Sequence, residues 1–183
     1  MGLMPRPADV EGFKIALGSA AAHVNVITSR EQDGRPVGMT ATAFSSVSTD
    51  PLLVLVCVNR ENRTYSRIVR SGLFGVNILS SRAQEISAFC ATPNRDKYLR
   101  EEWLCDRGPT WSAPALADAM AFLDCEVYRE LHAGTHAVIL GAVRGIGVPE
   151  LSPSGEVEPL LYYRGCYHHL GAERTPQSVA APA

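Results

Sequence analysis

The stretch Gly38-Met39-Thr40-Ala41-Thr42-Ala43-Phe44-Ser45-Ser46-Val47-Ser48-Thr49-Asp50-Pro51-Leu52-Leu53-Val54-Leu55-Val56-Cys57-Val58-Asn59 decides the fold. Its first half is extended and dense in small hydroxyl residues. Asp50-Pro51 breaks it, because proline removes a donor and fixes φ. Leu52 to Val58 is then a short, wholly apolar run, the pattern of a strand buried on both faces. So short a link between extended segments belongs to an antiparallel sheet; a parallel sheet needs a long crossover.

The flanks continue the theme. Upstream, HVNVITS (23–29) alternates Val24, Val26 and Thr28 against His23, Asn25 and Ile27, and Asp33-Gly34 supplies a hairpin dipeptide before an extended stretch over 35–48. Before it, Asp9 caps a helix whose Phe13, Ala16, Leu17, Ala20 and Ala21 share one face. Downstream, Asn62 caps a second helix, with Tyr65, Ile68 and Val69 on one side and Gly72 as its stop. FGVNIL (74–79) reads as a strand. Ser81 and Gln84 have capping-box spacing ahead of a third helix with Ile86, Phe89 and Cys90 inward. Residues 92–118 read as a long irregular excursion. Within it, Trp103 and Trp111 read as local packing, with a lid or a dimer contact as the alternative, and Arg95–Glu102 as a solvated helix face. Three more strands follow at 121–131, 136–148 and 159–170. Six or seven strands with short links and three short helices give a mainly β fold: an antiparallel barrel with peripheral helices. Residues 1–8 read as a flexible N-terminus, 9–170 as one domain and 171–183 as a disordered tail.

Composition limits the function. The chain has 183 residues, 46% hydrophobic and 20% charged, which excludes wholesale disorder. A net charge of −2 argues against a nucleic-acid backbone binder. The five cysteines include no C-x-x-C pair, against a disulfide framework or a zinc site. The N-terminus lacks the apolar core of a signal peptide, and no apolar run approaches membrane-span length. A soluble cytoplasmic protein is the expectation. There is no P-loop, no G-x-S-x-G elbow and no H-E-x-x-H; Gly145-Ile146-Gly147 does not open a helix, and His168-His169 are neighbours that point apart.

The positive signal is 38–48. Small residues let a flat ligand approach the backbone, and hydroxyls can bond its polar edge; a plain Thr/Ser-rich strand is the alternative. Further segments follow in order: N-R-T at 62–64, G-V-N-I-L-S-S at 75–81, G-T-H at 134–136 and P-L-L-Y-Y-R-G-C-Y at 159–167. Together they resemble the flavin reductase-like family, with its FMN-binding split-barrel fold, over about residues 10–170. The resemblance implies an NAD(P)H:flavin oxidoreductase that supplies reduced flavin to a partner monooxygenase, in a homodimer. It implies FMN or FAD, and NADH or NADPH. By the same resemblance Gly38, Met39, Thr40, Ala41 and Thr42, with Ser45 and Ser46, lie along the isoalloxazine and ribityl chain. Cys57, Val58 and Asn59 lie at its other polar edge. Thr64, Ser81 and Arg82 lie near the phosphate, and His136 with Tyr162, Tyr163, Arg164 and Gly165 contacts the nicotinamide. One departure stands out: Thr135 occupies the place of the family's usual Asp, and Thr can hydrogen-bond a histidine but adds no charge. No acid, base or nucleophile is required, since hydride transfer needs two stacked rings. Two other readings are open at this point: a protein that retains FMN and acts on another substrate, and a non-catalytic flavin- or haem-binding module.

Overall fold

The computed structural model describes residue 5 and residues 7–93, 98–105, 111–148 and 157–170. Three helices are present: α1 (Val10–Gly18), α2 (Arg63–Ser71) and α3 (Gln84–Ala91). The strands are β1 (Ala22–His23), β2 (Asn25–Arg30), β3 (Pro36–Ala41), β4 (Phe44–Thr49), β5 (Leu52–Asn59), β6 (Leu73–Leu79), β7 (Ala119–Ala133), β8 (His136–Gly147), β9 (Leu161–Tyr163) and β10 (Cys166–His168). Seven of them form one sheet in the order β3-β2-β6-β7-β8-β5-β4, and β1-β9-β10 form a second. Every pairing is antiparallel.

The extended stretch expected over 35–48 is in fact two strands. β3 pairs with β2, and β4 pairs with β5. Only Thr42 and Ala43 separate β3 from β4, yet these strands are the two edges of the seven-stranded sheet. The sheet must therefore curl until its edges approach. They are not paired, so the barrel is split rather than closed.

Its interior is filled by Ile27, Met39, Val54, Val56, Val58, Phe74, Val76, Cys125 and Ile139, and Ile68 of α2 closes one end. A second cluster lies on the other face of the sheet. There Val24, Val26 and Leu79 meet Ile86 and Cys90 of α3, with Trp103 and Leu160. The excursion after α3 has a structural task. Leu99 N–H donates to Pro36 O (2.9 Å), and Tyr98 bridges Val37, so the segment covers the exposed edge of β3. Trp103 is buried, with its ring edge-on to Phe89. Trp111 packs on Phe122. Both tryptophans are thus local packing, as expected. Tyr98 to Glu102 form a bridge and a short 3-10 turn, not a helix face; Arg95 lies outside the described residues.

Other expectations divide. Asp9 caps α1 by accepting Gly12 N–H (2.6 Å), and Asn62 caps α2 by accepting Thr64 N–H (2.9 Å). Gly72 ends α2 in the left-handed conformation (φ 70°). By contrast, α1 stops at Gly18, before Ala20, and none of its residues is buried. Ser81 and Gln84 make no capping box: a 3-10 turn over Ser81–Ala83 precedes α3, and no side chain caps either. Residues 159–170 are not one strand. They form the β9–β10 hairpin, turned at Arg164 (φ 49°) and Gly165 (φ 83°). Finally, β5 is not buried on both faces. Val54, Val56 and Val58 point inward, while Leu53, Leu55 and Cys57 are half-buried on the outer face. The expected tail, 171–183, lies outside the described residues.

Candidate active site

The split creates the cleft. Where the chain leaves β3 and crosses to β4, a depression of about 310 Å3 opens between Met39–Ala43, the C-terminal end of α3, the end of β5 and the start of β8. Its wall comprises Met39, Thr40, Ala41, Thr42, Ala43, Cys57, Asn59, Asn62, Cys90, Ala91 and His136. Strand register explains the grouping. Cys57 opposes Val138 and Asn59 opposes His136, so the outer face of β5 brings Cys57 and Asn59 beside His136.

The free donors of this wall can be counted. Thr42 and Ala43 lie outside the strands, and their N–H groups make no backbone hydrogen bond among the described residues. Asn59 Oδ1 accepts Glu61 N–H (2.9 Å) and Asn62 Oδ1 accepts Thr64 N–H (2.9 Å), which leaves both amide NH2 groups available. His136 Nδ1 meets Thr135 Oγ1 at 2.9 Å, leaving Nε2 exposed. Thr40 is used internally: its hydroxyl donates to Ser87 O (2.6 Å) and fixes β3 to α3. The wall thus offers exposed N–H and NH2 donors around a floor of small residues and no fixed carboxylate. That donor set fits a flat, polar-edged, electron-rich heterocycle.

Among the residues singled out from sequence, Met39, Thr40, Ala41, Thr42, Cys57, Asn59 and His136 come together here. Gly38 sits just behind the wall. A Cβ there would lie 3.1 Å from Val26, 3.3 Å from Cys90 Sγ and 3.3 Å from Leu99, so a larger residue would require these three side chains to give way. Val58 turns its side chain into the barrel core, fully buried, and can offer only backbone. Ser45 and Ser46 stand exposed on the edge strand β4, outside the cleft wall. Thr64 is buried in the first turn of α2, whereas Ser81 is half-buried and Arg82 exposed in the turn before α3; none of the three lines the cleft. Tyr162, Tyr163, Arg164 and Gly165 occupy the β9–β10 hairpin, also outside the wall. That hairpin is tied to the cleft indirectly, since Tyr167 Oη lies 2.8 Å from Ser87 Oγ on α3.

Sequence reasoning missed Asn62, Cys90, Ala43 and Ala91. Asn62 was legible only as a helix cap, and the cap is real; its second role follows from where the α2 start is placed. Cys90 carried only the signal of an apolar helical face.

Proteins named flavin reductases are similar to this chain along nearly its whole length. A chain named flavin reductase (NADH) from Kitasatospora aureofaciens is 34% identical over 98% of this chain and 92% of its own length. The reductase subunit HsaB of a flavin-dependent monooxygenase from Mycobacterium tuberculosis is 32% identical over 94% and 88%. Among solved structures, the flavin reductase PheA2 superposes with a TM-score of 0.76 at 34% identity, covering 90% of this chain and 99% of that one. The model of the flavin reductase like domain matches residues 17–171, a span that contains all ten described strands, and the chain belongs to that family.

Proposed function

We propose that this protein is an NADH-dependent flavin reductase that transfers hydride to FMN or FAD and supplies the reduced flavin to a partner monooxygenase. The observation that carries the reading is the donor-lined cleft at the split, in a chain whose relatives are named flavin reductases and monooxygenase reductase subunits. Flavin supplies the redox chemistry, accepting hydride from the nicotinamide. The protein's residues bind, orient and exclude water. The N–H groups of Thr42 and Ala43 and the amides of Asn59 and Asn62 face the flavin's polar edge and favour its reduced, more negative form. Met39 to Ala43 give the ring close access to backbone. In this reading His136 Nε2 contacts the nicotinamide, and Thr135 holds its ring. The β9–β10 hairpin, with Tyr162, Tyr163, Arg164 and Gly165, closes over the nicotinamide side. Ser81, Arg82, Ser45 and Ser46 would lie along the flavin's phosphate tail, whereas Thr64, buried and with its N–H held by Asn62, would shape that side only from beneath.

The working unit in this proposal is a homodimer. The outer face of β5 and β8 presents half-buried Leu53, Leu55, Val138 and Leu140, and leads straight to Cys57, Asn59 and His136 in the cleft. Leu52 on β5 and Val47 on the neighbouring strand β4 are exposed. A second copy on this face would bury it and wall the cleft. NADH is a cytoplasmic currency, and the proposal places the protein there. No helix among the described residues is long and apolar enough to cross a membrane.

The experiment is a grid of initial rates: NADH and NADPH, each with FMN, FAD and riboflavin. The reading expects flavin-dependent oxidation, faster with NADH. A Soret band in the purified protein, or no oxidation with any pair, would overturn it.

A further inference from the structure

We propose that Tyr65, Glu130 and His132 form a clasp that positions the β7–β8 turn, and with it His136, at the cleft. The inference rests on the reading of His136 given above and assigns it three positioning residues that do not touch the cleft themselves. Tyr65 Oη on α2 donates to Glu130 Oε1 on β7 at 2.5 Å. His132 Nε2, in the tautomer that carries its proton there, lies 2.9 Å from the same carboxylate oxygen and 3.2 Å from Tyr65 Oη. One carboxylate oxygen thus gathers a helix and a strand that lie 65 residues apart in sequence. The Glu130 carboxylate holds the Tyr65 hydroxyl above its ordinary titration range, with Arg60 acting weakly in the opposite sense.

The placement gives the clasp its purpose. Glu130 opposes Ile139 and His132 opposes Ala137, so both share the inward face with core residues of β8. His136, one residue before Ala137, points to the opposite face, toward Asn59. Residues 131–136 are exposed, so packing alone does not hold the turn. The β7–β8 ladder pairs Ala133 with His136 and β5 pairs Asn59 with His136, and two further contacts reach the turn from one segment. Arg60 N–H donates to Thr135 O (3.1 Å) and Tyr65 reaches His132 through Glu130. Asn59 and Asn62, in that same segment, line the cleft. The clasp therefore references His136 to the two amides beside it.

Tyr65→Phe tests this. The ring stays packed against the barrel core and only the hydroxyl is lost. The expected result is a KM for NADH raised about two- to ten-fold, the range of one hydrogen bond. The kcat and the KM for flavin should stay unchanged, and the melting temperature should fall by only about 2–4 °C. Glu130→Gln keeps an oxygen to accept from Tyr65 and should restore most of the NADH affinity, whereas Glu130→Leu should behave like Tyr65→Phe. A second readout needs no turnover: amide hydrogen exchange over 133–136 should accelerate in Tyr65→Phe and nowhere else. Unchanged exchange at 133–136, or a flavin KM that rises as much as the NADH KM, would overturn the clasp. If the wild-type chain oxidises no NADH, the reading of the cleft fails, and the exchange experiment still decides the clasp.

Discussion

Thr135 shows how one residue can keep a geometry while changing its electrostatics. Its hydroxyl meets His136 Nδ1 at 2.9 Å, so the imidazole is oriented without a neighbouring negative charge. His136→Ala should raise the KM for NADH about two- to ten-fold, the range of one lost hydrogen bond, and leave flavin affinity nearly unchanged. Steady-state kinetics with each substrate varied in turn check this; a loss of flavin affinity would reassign the residue. The cysteines give a second residue-scale test. Cys57 lines the cleft, half-buried, whereas Cys125 is fully buried, and burial with the adjacent Asp124 carboxylate pushes its thiol up to about 12. Only a thiolate alkylates. Iodoacetamide should therefore label Cys57 in the native protein, FMN should protect it, and Cys125 should react only after unfolding. Because the Cys125 thiol is raised, its contribution to stability is complete below the unfolded value near 9. That contribution is lost as pH climbs towards 12.

At the scale of elements, Asn62 carries two tasks that mutation can separate. Its Oδ1 caps α2 and its NH2 faces the cleft. Asn62→Ala should cost about 1 kcal/mol of stability and weaken flavin binding. Asn62→Ser keeps a capping oxygen and should recover the stability without the binding. Thermal melts beside flavin titrations distinguish the two; a serine variant that binds flavin like wild type would remove Asn62 from the site. This pair also marks how far sequence reading reached. The caps at Asp9, Asn62 and Gly72 were legible because each rests on local chemistry. The division of 35–48 into β3 and β4 was not, because Thr42 and Ala43 resemble their neighbours. Only long-range pairing sends the two halves to opposite edges of the sheet. The capping box at Ser81 and Gln84 failed for a related reason. Ser81 N–H is taken by Glu158 O (2.8 Å), so a distant segment sets the entry to α3.

At the scale of the molecule, the mismatch at β5 becomes informative. A wholly apolar strand suggests burial on both faces, yet one face is only half covered within a single chain. The outward leucines of β5 are what a second copy would cover. Light scattering after gel filtration should give twice the chain mass. Leu55→Glu should halve it and, because the cleft continues that face, depress turnover as well. A monomer with full activity would remove the dimer from the account.

The central claim is that the cleft at the split holds flavin loosely enough to release it once reduced. NADH oxidation by the purified protein, measured with and without added FMN, tests this most directly. The account predicts a nearly colourless protein that is inactive alone and turns over many equivalents of NADH when flavin is supplied. A yellow protein with stoichiometric flavin and no NADH turnover would contradict it.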